Sequence, residues 1–294
     1  MDQPTSLLPF FGVIQVTGED ASTFLHNQLS NDILHLPVNS AAYASYNTPQ
    51  GRVLANMLVI KAQDSVFLIL AQDLCDTIAK RLKMFVLRSK VLIENASDQW
   101  ALAAKIPEQW QSTEPHTVLS TEYTDSGIWT IHLPHGGTYL FCQKNNPSLP
   151  SLNPHTLNIW QENEIMAGFP WICAATSEKC VAQMLNLHRL GAVHFKKGCY
   201  PGQEIIARAQ YRGQVRRGLA VFKTPINALA GTTLLNEHKE EVGIVINSAQ
   251  AIDDKTNYHL LAVVKFSAMD QPIFIEENLL QLQHYFFERQ TETK

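Results

Sequence analysis

A run of chain-breaking residues, Asn145-Asn-Pro-Ser-Leu-Pro-Ser-Leu-Asn-Pro154, constrains the fold more than any other feature of this sequence. Pro147, Pro150 and Pro154 each lack an amide donor, so the run reads as a linker that no regular element crosses. The sequence on either side differs in character. Before the linker, strands and helices interleave. Gly12–Val16 reads as a strand, and a helix capped at Thr17 follows, with Asp20 at capping-box spacing and Ala21, Phe24, Leu25 and Leu29 on one stripe. After the turn Thr48-Pro49-Gln50-Gly51 come strands at Arg52–Ile60 and Val66–Leu70. A helix over Leu74–Leu87 turns Leu74, Ile78, Leu82 and Phe85 inward, and strands follow at Val91–Ile93, Trp100–Ala104, Ile128–His132 and Thr138–Cys142. This pattern predicts an α+β sheet domain over about residues 46–142. Beyond the linker one helix spans about Leu157–Ala167. From Arg217 onward short strands (Val221–Lys223, Val242–Ser248, Leu260–Val264, Pro272–Ile275) follow without a helical pattern before the last residues, which suits a small antiparallel barrel or sandwich.

Composition bounds the function. A chain of 294 residues allows roughly two domains, and 45% apolar residues suffice for real cores. With 23 basic and 27 acidic residues the net charge is −4, so no bulk positive field draws the molecule onto nucleic acid. The stretch from Lys196 to Arg217 differs, with six basic residues against the single acid Glu204. The five cysteines are scattered, odd in number and never at C-x-x-C spacing, which argues against a disulfide scaffold or a self-contained zinc or iron–sulfur site and fits a reducing compartment. The N-terminus has no basic leader region, and the longest strongly apolar run, Val66–Ala71, is too short to span a bilayer, so a cytoplasmic location is expected. Phosphate-loop, dinucleotide and nucleophile-elbow motifs are absent. His132 and His135, separated by Pro134 and followed by two glycines, read as a turn after a strand.

The richest chemistry lies in Lys196-Lys197-Gly198-Cys199-Tyr200-Pro201-Gly202-Gln203-Glu204-Ile205-Ile206-Ala207-Arg208-Ala209-Gln210-Tyr211-Arg212. Pro201 suits the first position of a helix, Glu204 its first turn, and Gly213 its C-cap. Glu204, Arg208 and Arg212 are spaced four apart on one face, which is basic overall. Cys199 would then lie near a helix N-terminus beside Lys196 and Lys197, surroundings that favour thiolate over thiol. A small residue packing a tight turn is the alternative reading of the same cysteine.

Lys197-Gly198-Cys199-Tyr200-x-Gly202-Gln203-Glu204, continued through Ala207-Arg208, Tyr211-Arg212-Gly213 and Arg216-Arg217, resembles the signature of the YgfZ branch of the folate-binding YgfZ/GcvT family. Val16-Thr17-Gly18-Glu19-Asp20-Ala21, Gln50-Gly51-Arg52, Ala167-Gly168-Phe169-Pro170, Asn186-Leu187 and Gly191-Ala192-Val193 extend the likeness over most of the chain; it is weakest over about 95–150 and after 225. The resemblance implies a three-lobed aminomethyltransferase-like α+β fold. Its parts would be a discontinuous folate-binding domain (1–45 and 150–216), an inserted ferredoxin-like α+β domain (46–149) and a C-terminal antiparallel β-barrel (217–294). It also implies tetrahydrofolate, or a derivative, stacked on two aromatics that align with Phe11 and Trp160. Gly198, Tyr200, Gly202, Gln203, Glu204 and Arg208 would complete the folate site, and Cys199 would be the functional thiol with Lys197 as its electrostatic partner. The chain departs from the family at Phe11, where tryptophan is common, at Met166, where an acid is frequent, and at Val181-Ala182. The implied role is an accessory one, supporting iron–sulfur enzymes such as a tRNA methylthiotransferase. A folate-dependent one-carbon transferase and a tRNA-binding module, with the 196–217 patch making a weak tRNA contact, are the alternatives. For the transferase, Asp32 is the one polar group the sequence suggests.

Overall fold

A computed structural model describes residues 3–110, 117–213 and 215–287. In chain order the first half comprises β1 (Thr5–Leu7), β2 (Phe11–Thr17), α1 (Ala21–Gln28), β3 (Ser40–Asn47), β4 (Val53–Lys61), β5 (Ser65–Ala71), α2 (Cys75–Lys83), β6 (Leu92–Asn95), β7 (Trp100–Lys105), β8 (Thr121–Tyr123), β9 (Trp129–His132) and β10 (Thr138–Gln143). The second half comprises α3 (Pro154–Met166), α4 (Gln203–Tyr211), β11 (Arg217–Thr224), β12 (Thr233–Asn236), β13 (Glu241–Gln250), β14 (Tyr258–Lys265), β15 (Ile273–Ile275), β16 (Asn278–Leu279) and β17 (Gln281–Tyr285).

The strands build three antiparallel sheets, ordered β3-β4-β5-β2-β6, β1-β7-β10-β9-β8 and β16-β15-β12-β13-β14-β11-β17. The first two share a core in which Phe67 of β5 meets Trp100, Trp129 and Phe141 of the second sheet at ring-centroid distances of 4.5, 5.9 and 5.1 Å. The third carries register shifts at Val221/Phe222, Leu234/Leu235 and Val245/Asn247, and such bulges curl a sheet. Its end strands β16 and β17 do not meet, so it forms an open half-barrel over its own apolar cluster.

Several sequence expectations shift in the structure. The boundary expected at 45/46 falls inside β3, whose residues Ser40–Asn47 pair with β4 along the strand, and both early sheets take strands from either side of it. The breaker-rich linker ends as a helix start: Asn153 is the N-cap, its side chain accepting from Thr156 N at 3.1 Å, and Pro154 takes the first helical position. The helix after β2 begins at Ala21 and not at Thr17. Gly18 (φ +109) turns the chain between them, and Asp20 accepts from Lys90 N rather than from its own helix. The helix expected to Leu87 ends at Lys83, which leaves Phe85 exposed. Gln281–Tyr285, where helix was not excluded, is strand, and residues 288–294 lie outside the described residues.

Candidate functional site

Phe11 opens β2 and Trp160 lies midway along α3. Both line one cavity of about 220 Å³, together with Phe10, Glu164, Trp171 and the 227–230 loop of the half-barrel. The spacing of Trp160 and Glu164, one helical turn, brings both to the same face of α3. Trp171 stands edge-on to Phe11 at 4.6 Å, and Tyr139 and His135 pack beside Trp160 at 5.2 and 5.4 Å. Asn247 seals the junction with the half-barrel: its side chain accepts from Trp171 N at 2.9 Å and donates to Trp171 O at 3.1 Å.

Glu164 is the polar centre of this cavity. Its Oε1 accepts from the Tyr139 hydroxyl at 2.5 Å and its Oε2 from Trp171 Nε1 at 3.2 Å. Burial pushes its carboxyl up to about 7, against the downward pull of those two donors and of the Trp160 indole beside it, so it passes between acid and carboxylate near neutral pH. Burial also keeps the Tyr139 phenol far above its usual range, and brings the His135 imidazole down to about 3, so that ring is neutral. The buried Trp160 Nε1 has no hydrogen-bond partner among the described residues.

The cysteine motif lies elsewhere. None of Gly198, Cys199, Tyr200, Gly202, Gln203, Glu204 and Arg208 lines the Phe11–Trp160 cavity. Cys199 is exposed, whereas Cys75, Cys142 and Cys180 are buried, the thiols of Cys75 and Cys180 being pushed up to about 11 by burial. The helix after the motif starts at Gln203 rather than at Pro201, because Gly202 is its N-cap in a left-handed conformation (φ +81). A Cβ at Gly202 would stand 2.6 Å from Thr48 O and 2.8 Å from Gly51 Cα, so only glycine lets this turn press on the Thr48–Gly51 turn. Glu204 and Arg208 are both exposed and form no ion pair among the described residues.

The Lys197 ammonium is engaged by backbone. The residue is 8% exposed, and its Nζ donates to three backbone carbonyls where α1 ends: His26 O, Leu29 O at 2.6 Å and Asn31 O at 3.0 Å. Three ammonium protons meet three acceptors, and a cation at a helix C-terminus complements its dipole. The Tyr200 ring lies 5.0 Å from the same Nζ. Burial brings the amine down to about 8, which leaves it mostly protonated at pH 7. Lys197 therefore anchors the loop that displays Cys199.

Below that loop lies a cluster the sequence reading only touched. His26 Nδ1 is 3.0 Å from Asp32 Oδ1, and His35 Nδ1 is 2.9 Å from Asp32 Oδ2. Burial pushes the Asp32 carboxyl up, but hydrogen bonds from His35 outweigh it and hold the group below its usual range. Burial, then the Lys197 charge, hold His26 below the usual imidazole value. A Cβ at Gly198 would stand 3.8 Å from His26 Nε2, so the cysteine loop passes over this ring. Asn31 connects the two regions: its carbonyl receives Lys197, while its Nδ2 donates to Tyr43 O at 2.7 Å, and the Tyr43 ring lies 6.1 Å from Trp171.

Sequence reasoning missed Glu164, Tyr139, Trp171 and His26. For Glu164 a signal existed, since an acid one turn from Trp160 shares its face. For Tyr139, 25 residues away in sequence, there was none.

An α+β frame closed by a half-barrel over an aromatic cavity is an aminomethyltransferase-like fold. The glycine cleavage system aminomethyltransferase T from Bartonella henselae is similar with a TM-score of 0.69 at 10% identity, covering 96% of this chain and 85% of that one. Residues 8–104 match the family model described as the GCVT N-terminal domain. Proteins named tRNA-modifying protein YgfZ are similar along much of the chain. That of Blochmanniella pennsylvanica is 26% identical over 275 residues (82% of this chain, 81% of its own). That of Photorhabdus laumondii is 29% identical over 223 residues (71% and 67%). The chain is thus similar to GCVT-type proteins over its first third and to YgfZ proteins along most of its length.

Proposed function

We propose that the protein binds a tetrahydrofolate-class ligand in the Phe11–Trp160 cavity and presents Cys199 as a surface thiol in support of iron–sulfur enzymes, such as a tRNA methylthiotransferase, in the cytoplasm. The observation that carries the ligand half is the convergence of Phe11, Trp160 and Trp171 on one cavity with a protonatable carboxyl at its centre. Aromatic walls suit a flat pterin. Glu164 can accept from ring N–H groups, and the unpartnered Trp160 N–H can donate to a ring nitrogen or carbonyl. At about 220 Å³ the cavity falls below the roughly 300–1,000 Å³ of sites that enclose a whole drug-sized ligand, so it suits the ring system, with the rest of the molecule passing the exposed Leu229 at the rim. The thiol half is supported by the exposure of Cys199 on an anchored loop, and the RNA-linked client by the name its relatives carry.

Titrating the protein with tetrahydrofolate while following tryptophan fluorescence tests the ligand half. Micromolar or tighter binding is expected, weakened about tenfold in Phe11→Ala and more in Trp160→Ala. Absence of binding, or equal binding by both variants, would overturn it.

Glu164 favours a second reading, a one-carbon transferase, because it is a polar group in the cavity that can hold or release a proton near neutral pH. Turnover of methylene-tetrahydrofolate with an amine acceptor, lost in Glu164→Gln, is its test. A tRNA contact through the exposed Arg208, Arg212 and Arg216 would weaken steeply with salt.

A further inference from the structure

A second hollow, of about 400 Å³, lies at one end of the sheet β1-β7-β10-β9-β8 and shares no lining residue with the first cavity. Four successive strand ends build it. Tyr123 closes β8 opposite Trp129, which opens β9; Gln143 closes β10 opposite Trp100, which opens β7. The turn after β10 adds Asn145 and Asn146.

The chemistry of the wall is specific. Trp100, Tyr123 and Trp129 form a ring cluster, with Tyr123 4.3 Å from Trp129 and Trp129 5.9 Å from Trp100. Packing on Phe67 and Phe141 explains Trp100 and Trp129, but it does not explain Tyr123, which is 47% exposed beside the hollow. The Trp129 indole N–H is buried without a hydrogen-bond partner among the described residues, a condition native proteins rarely leave unexplained. Asn146 is engaged locally, donating to Ser126 O and accepting from Ser148 N. The exposed amides of Gln143 and Asn145 make no hydrogen bond among the described residues, and each offers a donor pair beside an acceptor. No charged side chain lines the wall, while the exposed Lys144, between the two amides in sequence, has no ion pair among the described residues.

We propose that this hollow binds an uncharged nucleobase, stacked on the exposed aromatic surface and held at its edge by the amides of Gln143 and Asn145. Every base has a π-face, and aromatic platforms take unpaired bases with little regard to sequence. A primary amide meets the adjacent donor and acceptor of a base edge with two hydrogen bonds. A neutral wall suits the neutral base, and Lys144 is near enough in sequence to meet the phosphate of a nucleotide. The base could be supplied by a free nucleotide or by an unpaired position of an RNA strand, and both present the same chemistry.

Calorimetric titration of the full chain with adenosine monophosphate, cytidine monophosphate, a short single-stranded oligoribonucleotide and methyl glucoside tests the proposal. Binding of a nucleotide or the oligonucleotide is expected, with an affinity about tenfold weaker in Tyr123→Ala. The same direction is expected in Asn145→Ala, a substitution in an exposed turn. Tetrahydrofolate affinity should be unchanged in both variants, which separates this site from the first cavity. Tighter binding of the oligonucleotide assigns an RNA source, and equal binding a free nucleotide. No binding by any base-bearing probe, affinities unaltered in both variants, or preference for methyl glucoside would overturn it.

Discussion

The aromatic cavity and the cysteine loop are held by opposite means. The cavity is assembled from β2, α3, the segment after α3 and the half-barrel, mostly by ring packing, and the carboxyl in its lining is held between two donors. The loop projects outward and is held by a single ammonium on three carbonyls and by a turn that glycine alone permits. Shape in the cavity is distributed over many contacts, whereas shape in the loop is concentrated in two residues. The difference teaches that a protein can tune a binding pocket by small steps while its displayed thiol tolerates change almost nowhere in its support.

The sharpest way to break this contrast is Lys197→Met. Three carbonyls lose their donor at once, and a destabilisation of about 4 kcal/mol is expected in urea unfolding, since each unsatisfied buried acceptor costs about 1–3 kcal/mol. Alkylation of Cys199 should change rate in the same variant while tetrahydrofolate affinity changes little. A loss of ligand affinity equal to the loss of loop order would show the two regions to be one unit.

Next in size is the pH response of the cavity. The folded-state value of Glu164, about 7, lies above its free value of 4.5. The stabilisation tied to its proton is therefore fully present below about pH 4.5 and is lost as pH rises through 7. A shift of this size corresponds to roughly 3 kcal/mol. Urea unfolding at pH 5 and pH 8.5 should show this fall in the wild type and a smaller one in Glu164→Gln. Equal pH slopes would mean that the carboxyl is not buried as described.

The smallest effect belongs to the thiol. Cys199 is exposed, so Cys199→Ser should leave stability within about 0.5 kcal/mol of the wild type while abolishing support of iron–sulfur enzymes in a deletion strain. Full complementation by the serine variant would remove the thiol from the function and leave the loop a structural element.

The strand pattern was legible where alternation or apolar runs were strong, as in β4, β5, β7, β13 and β14. β3, Ser-Ala-Ala-Tyr-Ala-Ser-Tyr-Asn, was not, because small residues carry no period and the strand exists through its pairing with β4. Cys199 was legible as a motif. The backbone partners of Lys197 were not legible, because the carbonyls it binds lie 166 to 171 residues away in sequence. Phe11 and Trp160 were reached by resemblance, and their meeting in one cavity belongs to the fold.

By itself the sequence determined the α+β class, the likeness to YgfZ proteins and the cysteine motif, because periodicity, breakers and motif spacing are local properties of a chain. The tertiary structure alone decided that the aromatic cavity and the cysteine occupy different places, that Glu164 sits among rings, and that Lys197 spends its charge on backbone. Burial and hydrogen-bond partners arise only when distant segments meet, and they set the protonation and the exposure on which function depends.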